Sequence, residues 1–415
     1  MTLIKTSLLN AIAVVIKMLT LLGINKILAI YVGPAGYAAL GQFQNAVQMI
    51  TTFASGAINT GVTKYTAEYY EDEEKQRVVW RTAGTIAFVG SLVTGILVII
   101  FSKPLAGLFL KDESYSGVFV WFAVTLVLFV FNTLLLAILN GKKEIHRYVV
   151  ANIAGSLFAL MVTSFMVIQY GLYGALVALA VYQSLSFFVT MLLCYKTSWF
   201  RFSYMIGGID KKAAKNLAKY TAMALTSAVC VPLSHILVRN HLGETFGWEA
   251  AGYWEAMWRL SAAYLMLVTT TLSVYYLPRL SELKEPTAIR QEILQGYKVI
   301  LPVAASCGLI IYLLRNFIIR VLFTDDFAEM EVLFTWQMVG DTLKIASWLL
   351  GFILAAKALF GLYIVSEILF TLLFFFLTYF LSESFGIESV SIAHSINYLC
   401  HLLFMLFALR HKNII

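Results

Sequence analysis

Long apolar runs separated by short polar connectors fill this chain from end to end. A helix crossing a hydrocarbon core about 30 Å thick needs about 20 mostly apolar residues. The runs predict twelve spans, near 8–31, 38–60, 82–101, 117–139, 148–169, 174–195, 220–240, 250–275, 298–323, 332–355, 359–381 and 387–409. The connectors leave no room for a separate soluble domain. The expected fold is therefore all-α, a polytopic bundle of twelve transmembrane helices.

The most basic connector, 196–219, divides the chain into two sets of six spans, with expected units 1–205 and 206–415. Internal similarity supports the division. Gly36-Tyr37 returns as Gly252-Tyr253, and Ile138-Leu139 with Lys142 returns as Ile353-Leu354 with Lys357. Tyr170-Gly171-Leu172 returns as Phe385-Gly386-Ile387, and the stretch from Leu108 to Glu113 returns as Val321 to Asp326. The offsets run only from 213 to 216. Six spans is an even number, so both repeats enter the membrane from one side, which expects a pseudo-two-fold axis along the membrane normal.

Composition agrees: 60% of the 415 residues are hydrophobic and 13% are charged. Lys5 precedes a run too long for a signal-peptide core, and no small-residue cleavage site follows, so cleavage is not expected. Cys194, Cys230, Cys307 and Cys400 lie in apolar runs without metal-ligand spacing and read as packing residues. The net charge of +7 is a matter of topology. Counted over the N-terminus, alternate connectors and C-terminus, 21 cations fall on one side and six on the other, Arg239, Arg315 and Arg320 among the six. That bias places both termini in the cytoplasm. It gives no reason to expect nucleic-acid binding.

Three cations lie deep in spans: Lys17, Arg259 and Lys344. Lys17 stands roughly 13 Å along its helix from Leu8, near the midplane. A cation facing lipid there is penalised by about 2.5–3.5 kcal/mol, so such residues face a bundle interior or a watery cavity. Asn10 and Lys17 share a face. Glu255 precedes Arg259 by four and Asp341 precedes Lys344 by three, so both can pair locally. Trp254 and Trp258 flank the first pair. Glu367 stands alone in a phenylalanine-rich span, and His235 lies just beyond Pro232. On the second span Gln42 and Asn45 share one face, with Gln44 and Gln48 on the next, a polar surface suited to lining water. Pro232 and Pro302 fall within spans and are expected to bend them, either as static kinks or as hinges.

An excess of buried cations with amides and tryptophan faces suits an anionic, hydroxyl-rich ligand: guanidinium and ammonium for phosphate or carboxylate, rings and amides for sugar. The alternative is that both local pairs are structural and Lys17 alone carries net charge. No Walker-type motif, HExxH or DxD-like cluster is present, so neither catalysis, a metal nor a cofactor is expected. The acidic run Glu71–Glu74 reads as a solvated helix end rather than a metal site.

The segment Ile30 to Phe43, IYVGPAGYAALGQF, resembles the turn between the first two helices of polysaccharide transporters in the multidrug/oligosaccharidyl-lipid/polysaccharide exporter superfamily. YGLYGALVA, from Tyr170 to Ala178, resembles that superfamily's entry into the sixth helix. Over its whole length the chain is similar to the Wzx-type flippases. The resemblance implies two six-helix lobes around a V-shaped central cavity in the bacterial inner membrane. It implies alternating-access transfer of an undecaprenyl-pyrophosphate-linked oligosaccharide, the acidic trisaccharide of enterobacterial common antigen, to the periplasmic leaflet. It also implies a downstream polymerase and chain-length regulator as partners. Lys17, Arg259 and Lys344 would then meet the head group, with Asn10, Gln42, Asn45, Gln48 and Trp258 lining the cavity. Asp341, Glu255, Glu367 and His235 would serve in ion pairs or coupling. Multidrug exporters of the superfamily carry a carboxylate in the first helix; Lys17 stands here instead, which disfavours a drug or ion antiporter. A flippase for O-antigen or a peptidoglycan precursor remains an alternative. A membrane glycosyltransferase or polymerase would call for a long periplasmic catalytic loop, and no connector is long enough.

Overall fold

The computed structural model describes residues 3–272, 276–283, 285–357 and 359–414, with the side chains of 3–11, 219, 220, 267, 271, 277 and 278 excepted. Asn10 is therefore outside the described side chains. The helices in chain order are α1 (Leu3–Ser55), α2 (Asn59–Glu68), α3 (Glu73–Ile100), α4 (Ser102–Leu110), α5 (Ser116–Gly141), α6 (Ile145–Tyr195) and α7 (Lys211–Phe246). There follow α8 (Trp248–Thr271), α9 (Leu277–Glu282), α10 (Pro286–Leu313), α11 (Arg315–Leu322), α12 (Phe334–Ala356), α13 (Phe360–Phe385) and α14 (Ser389–His411).

Two of these are double. α1 reverses its conformation at Gly33 (φ 69°) and α6 at Gly171 (φ 53°), so each supplies two spanning legs. With those legs counted separately, α1, α3, α5, α6, α7, α8, α10, α12, α13 and α14 account for the twelve expected spans. α8 is not among the helices apolar enough to count as a typical membrane span among the described residues. Glu255 and Arg259 sit in its middle.

The repeat read from sequence holds element by element. α3 and α10 are each 28 residues long and begin 213 residues apart, and the short helices that follow, α4 and α11, begin at the same offset. Gly171 and Gly386 occupy matched positions 215 apart, with φ of 53° and 57°, a region that strains any residue with a Cβ. Shared element boundaries at constant offset are what a duplicated fold requires.

Span nine differs from expectation. The apolar run suggested 298–323, but α10 begins at Pro286, the chain breaks at Leu314, and Arg315 opens the separate amphipathic helix α11. Hydropathy merged the two because both are rich in Leu and Ile. Neither Pro232 nor Pro302 ends its helix: α7 and α10 run through them. Cys307 is exposed on α10, where a packing role was expected.

The chain groups into two compact units, residues 1–32 with 39–232, and residues 33–38 with 233–415. In the first unit Phe43 meets Phe119 and Phe122 edge to face, at centroid distances of 5.2 and 6.4 Å, and all three rings are buried. At the start of α3 the Asp72 carboxylate accepts the Lys75 backbone N–H at 3.0 Å, and Glu73 and Glu74 occupy the first turn against the positive helix end. The neighbouring Lys75 ammonium holds Asp72 below the usual carboxylate range. In the second unit Leu272, Leu280, Ile293, Leu349, Leu350, Ile353 and Met405 form one buried apolar cluster joining α8, α9, α10, α12 and α14.

The segment 33–38 belongs to this second unit. Tyr37 is fully buried, with Phe323 and Phe327 at ring distances of 6.1 and 5.1 Å. Gly252 of α8 lies so close that a Cβ there would stand 1.8 Å from the Pro34 carbonyl oxygen. Gly252→Ala is expected to destabilise the protein by about 1–3 kcal/mol, the range for forced overpacking. Gly351→Ala, where nothing lies within 4 Å of the added Cβ, is expected to be neutral or mildly stabilising. Thermal melting of the two purified variants checks both.

Candidate functional site

Within the second unit, four helices bring their charged and aromatic side chains into one buried cluster. α7 supplies His235 and Arg239. α8 supplies Glu255, Trp254, Trp258, Arg259, Ser261 and Tyr264. α12 supplies Gln337, Asp341, Lys344 and Trp348. α14 supplies His394 and Tyr398.

Glu255 is held from both sides. Its Oε2 accepts from an Arg239 terminal guanidinium nitrogen at 2.6 Å, and its Oε1 accepts from Arg259 Nε at 2.7 Å. All three residues are buried. The expected local pair of Glu255 with Arg259 is present, but it is one half of a triad. Arg239 was read as an outer-connector cation; the structure buries it at 1% exposure and gives it this carboxylate. Sequence spacing could not show that, because the partner lies on the next helix. The two guanidiniums also lie over aromatic rings, Arg239 over Trp254 at 5.4 Å and Arg259 over Tyr37 at 5.6 Å.

The other expected pair does not form. Lys344 makes no ion pair with Asp341. Its ammonium sits among three rings, 4.4 Å from Trp258, 4.9 Å from Trp348 and 5.7 Å from Tyr398. Asp341 is spoken for elsewhere. Its Oδ2 accepts from the Tyr264 hydroxyl at 2.8 Å, and its Oδ1 accepts from Gln337 Nε2 at 3.2 Å and faces His394 Nε2 at 3.1 Å. With Asp341 ionised, the last contact requires the His394 proton on Nε2. One turn of helix separates Asp341 from Lys344, yet donors on α8, on α14 and one turn earlier on α12 itself outcompete the ammonium for the carboxylate. The ring faces then take the cation, an arrangement worth about 2 kcal/mol when desolvated.

Trp258 joins the two halves of the cluster. His235 stands edge-on to it at 4.3 Å, and His394 is 5.8 Å away. Three buried cations, Arg239, Arg259 and Lys344, face two buried carboxylates, Glu255 and Asp341, so the cluster keeps one positive charge in excess while its histidines are neutral. Such a site attracts an anion and offers ring faces beside it.

Residues 3–284 match the family described as polysaccharide biosynthesis protein. The chain belongs to that family. It is 31% identical over 377 residues to the lipid III flippase of Escherichia coli (strain K12), covering 91% of each chain, and matches the lipid III flippase of Shigella flexneri equally. Solved structures share its fold at low identity. An inward-facing multidrug resistance MATE family transporter of the MOP superfamily superposes with a TM-score of 0.78 at 13% identity, over 95% of each chain. The lipid II flippase MurJ, in an inward closed conformation, gives 0.76 at 15% identity over 99% of this chain and 89% of its own. This member of the family is therefore a multi-pass membrane protein with the twelve-helix transporter fold.

The remaining residues singled out from sequence fall in several places. Lys17 is exposed on α1, and no described carboxylate pairs with it. On the second leg of α1, Gln42 and Asn45 are buried while Gln44 and Gln48 are exposed, so the two amide faces differ in surroundings. Asn45 Nδ2 has no hydrogen-bond partner among the described residues. Glu367, read as solitary, hydrogen-bonds Tyr363 one turn earlier. The aromatic members Trp348 and Tyr398 carried no sequence signal, since tryptophan and tyrosine abound in these helices. His394 and His401 lie seven apart on α14, yet they part company: the His401 ring bonds Ser347 while His394 faces Asp341. Among the described residues no group of three or more His, Cys, Asp or Glu side chains is placed to hold a metal.

Glu255→Gln removes the carboxylate and leaves two buried guanidiniums facing each other. A loss of about 3–5 kcal/mol is expected, the range for breaking a buried pair. Glu255→Gln combined with Arg239→Met, which restores balance, is expected to recover part of it. Thermal unfolding in detergent measures both.

Proposed function

We propose that this protein is a transporter, not an enzyme, and that it flips an undecaprenyl-pyrophosphate-linked oligosaccharide from the cytoplasmic to the periplasmic leaflet of the bacterial inner membrane. The single observation that carries the reading is the 31% identity over 91% of both chains to lipid III flippases. The enterobacterial common antigen trisaccharide is the proposed head group. Its diphosphate and uronate call for cations, which agrees with the positive excess of the buried cluster.

In this reading Lys17, exposed and without a described carboxylate, makes the first contact with the diphosphate. Arg259 and Lys344 act from within the second unit, lending field and, as Glu255 and the rings release them, direct contact. Gln42, Asn45, Gln48 and Trp258 serve the sugars. The polyprenyl tail stays in lipid. Both termini lie in the cytoplasm in this reading, which the cation bias supports, 21 against five once Arg239 is counted with the buried triad.

Access to the head group then alternates between the two leaflets. The division between them falls at Pro232, inside α7. Proline there removes one backbone donor and leaves the Ala228 carbonyl without its helical partner, a natural point of bending. Pro302 offers α10 the same freedom. Membrane potential can assist, because each negative charge moved outward gains about 2.3 kcal/mol per 100 mV. Asp341, Glu367 and His235 are the groups available for proton coupling, and a downstream polymerase and chain-length regulator would draw product away.

Lys17→Ala is expected to lower the initial rate of flipping in proteoliposomes at least tenfold while leaving the melting temperature unchanged, and Lys17→Arg to retain most of the rate. Full activity of Lys17→Ala would end its role as a head-group contact. Imposing a potential, positive outside, on the wild-type protein is expected to accelerate outward flipping. Indifference to both potential and pH gradient would leave downstream consumption as the driving force.

A further inference from the structure

A second basic site lies away from the cluster. Arg290, in the second turn of α10, and Arg410, in the last turn of α14, line the mouth of one cleft of about 330 Å³. Both side chains are exposed, and neither has a carboxylate partner among the described residues. The acid nearest in sequence, Glu292, is taken by Arg279 at 3.4 Å. The floor is apolar: Ile293 and Leu350 are buried there, and Leu294 and Leu406 form walls. Tyr297 presents a ring rather than a free hydroxyl, because its oxygen already donates to the Ala346 carbonyl at 2.9 Å. Beyond the cleft α10 exposes Val299 and Val303, as a helix facing hydrocarbon does.

Two unneutralised guanidiniums above an apolar floor match an amphiphile with an anionic head. Guanidinium is the side chain suited to phosphate, which it can grip through two parallel N–H donors. A volume near the lower end for ligand sites suits a head group and the start of one chain, not a whole lipid or an oligosaccharide. On the topology proposed above, the start of α10 and the end of α14 lie at the cytoplasmic surface. Basic pockets between spanning helices at that level are where anionic head groups are held. We propose that the cleft between α10, α12 and α14 binds an anionic glycerophospholipid of the cytoplasmic leaflet, its phosphate between Arg290 and Arg410.

The consequence is a lipid preference built into the second unit and separate from substrate handling. A lipid bridging α10 and α14 ties together two helices that both pack on α12. It would therefore stabilise the unit without touching Lys17 or the buried triad.

The full-length chain, purified and delipidated in detergent, is titrated with dioleoyl phosphatidylglycerol or dioleoyl phosphatidylethanolamine and examined by native mass spectrometry. Each arginine near an anionic head is expected to contribute about fivefold. The first phosphatidylglycerol adduct should thus form at least fivefold more tightly than the phosphatidylethanolamine adduct. In R290Q/R410Q the preference should vanish, and in R290K/R410K it should largely persist. The single variants R290E and R410E should each lose most of it. Millimolar inorganic phosphate should fail to displace the lipid, because the apolar floor contributes. Equal adducts on the wild-type chain, an unchanged preference in R290Q/R410Q, or displacement by phosphate would each overturn the proposal. Flipping activity does not enter the readout, so failure here is distinct from failure of the transport reading.

Discussion

One carboxylate organises the second unit. Glu255 lies between Arg239 and Arg259, and every other charged choice nearby follows from that occupancy. With Glu255 shared by two guanidiniums, neither Arg239 nor Arg259 calls on Asp341. Asp341 is free to collect hydroxyl, amide and imidazole donors from Tyr264, Gln337 and His394. Lys344, next to an already satisfied carboxylate, is left to the rings of Trp258, Trp348 and Tyr398. The cluster is thus a network in which each charged group has a partner, while the atoms Arg239 Nε, Trp254 Nε1 and Gln337 Oε1 find no hydrogen bond among the described residues, and it retains one unit of positive charge. Buried charges are tolerable only when so partnered, since an unpaired one pays its whole desolvation penalty.

That state of engagement shapes the transport reading. Arg259 and Lys344 are not idle cations awaiting a ligand; each already has partners. An anion approaching them competes with Glu255 for a guanidinium and with three ring faces for an ammonium. Competition of this kind suits a carrier, because binding that is too firm would trap the substrate part-way. Lys17 is of a different type, exposed on α1 and with no described carboxylate to give up.

What the sequence made legible was periodic. Twelve apolar runs, the duplication at offsets of 213 to 216, and the glycine turns at Gly171 and Gly386 all depend on local pattern, and local pattern survives folding. The Glu255–Arg259 contact was legible for the same reason: four residues on a helix is one turn. What lay hidden was contact across helices. Arg239 to Glu255 spans 16 residues and a reversal at Gly247, and Tyr398 to Lys344 spans 54. Spacing alone favoured Asp341 with Lys344, and it failed because donors from α8 and α14 arrive at the same carboxylate. Span nine was misplaced by a related blindness. Hydropathy sees the apolar run through Leu314 but not the backbone break there, and it discards the polar opening turns of α10 that carry Arg290.

The placement of the triad also bears on how the chain enters a membrane. α8 alone would present Glu255 and Arg259 near its centre, at a cost of about 2.5–3.5 kcal/mol for each charged group on insertion scales. Their one-turn spacing lets them neutralise each other within α8 itself. α7 arrives first, carrying Arg239, itself costly and without a partner on its own helix. A single residue, Gly247 at φ 92°, joins α7 to α8, so the two helices form a hairpin as soon as α8 is made. Within that hairpin Arg239 meets Glu255, and the three charges enter as a group with a net charge of one rather than as three separate ions. A longer connector would weaken that coupling by raising the entropy of closing the hairpin. The tight turn at Gly247 and the low hydropathy of α8 are therefore two sides of one constraint: the three charges of the triad are paired before they are buried.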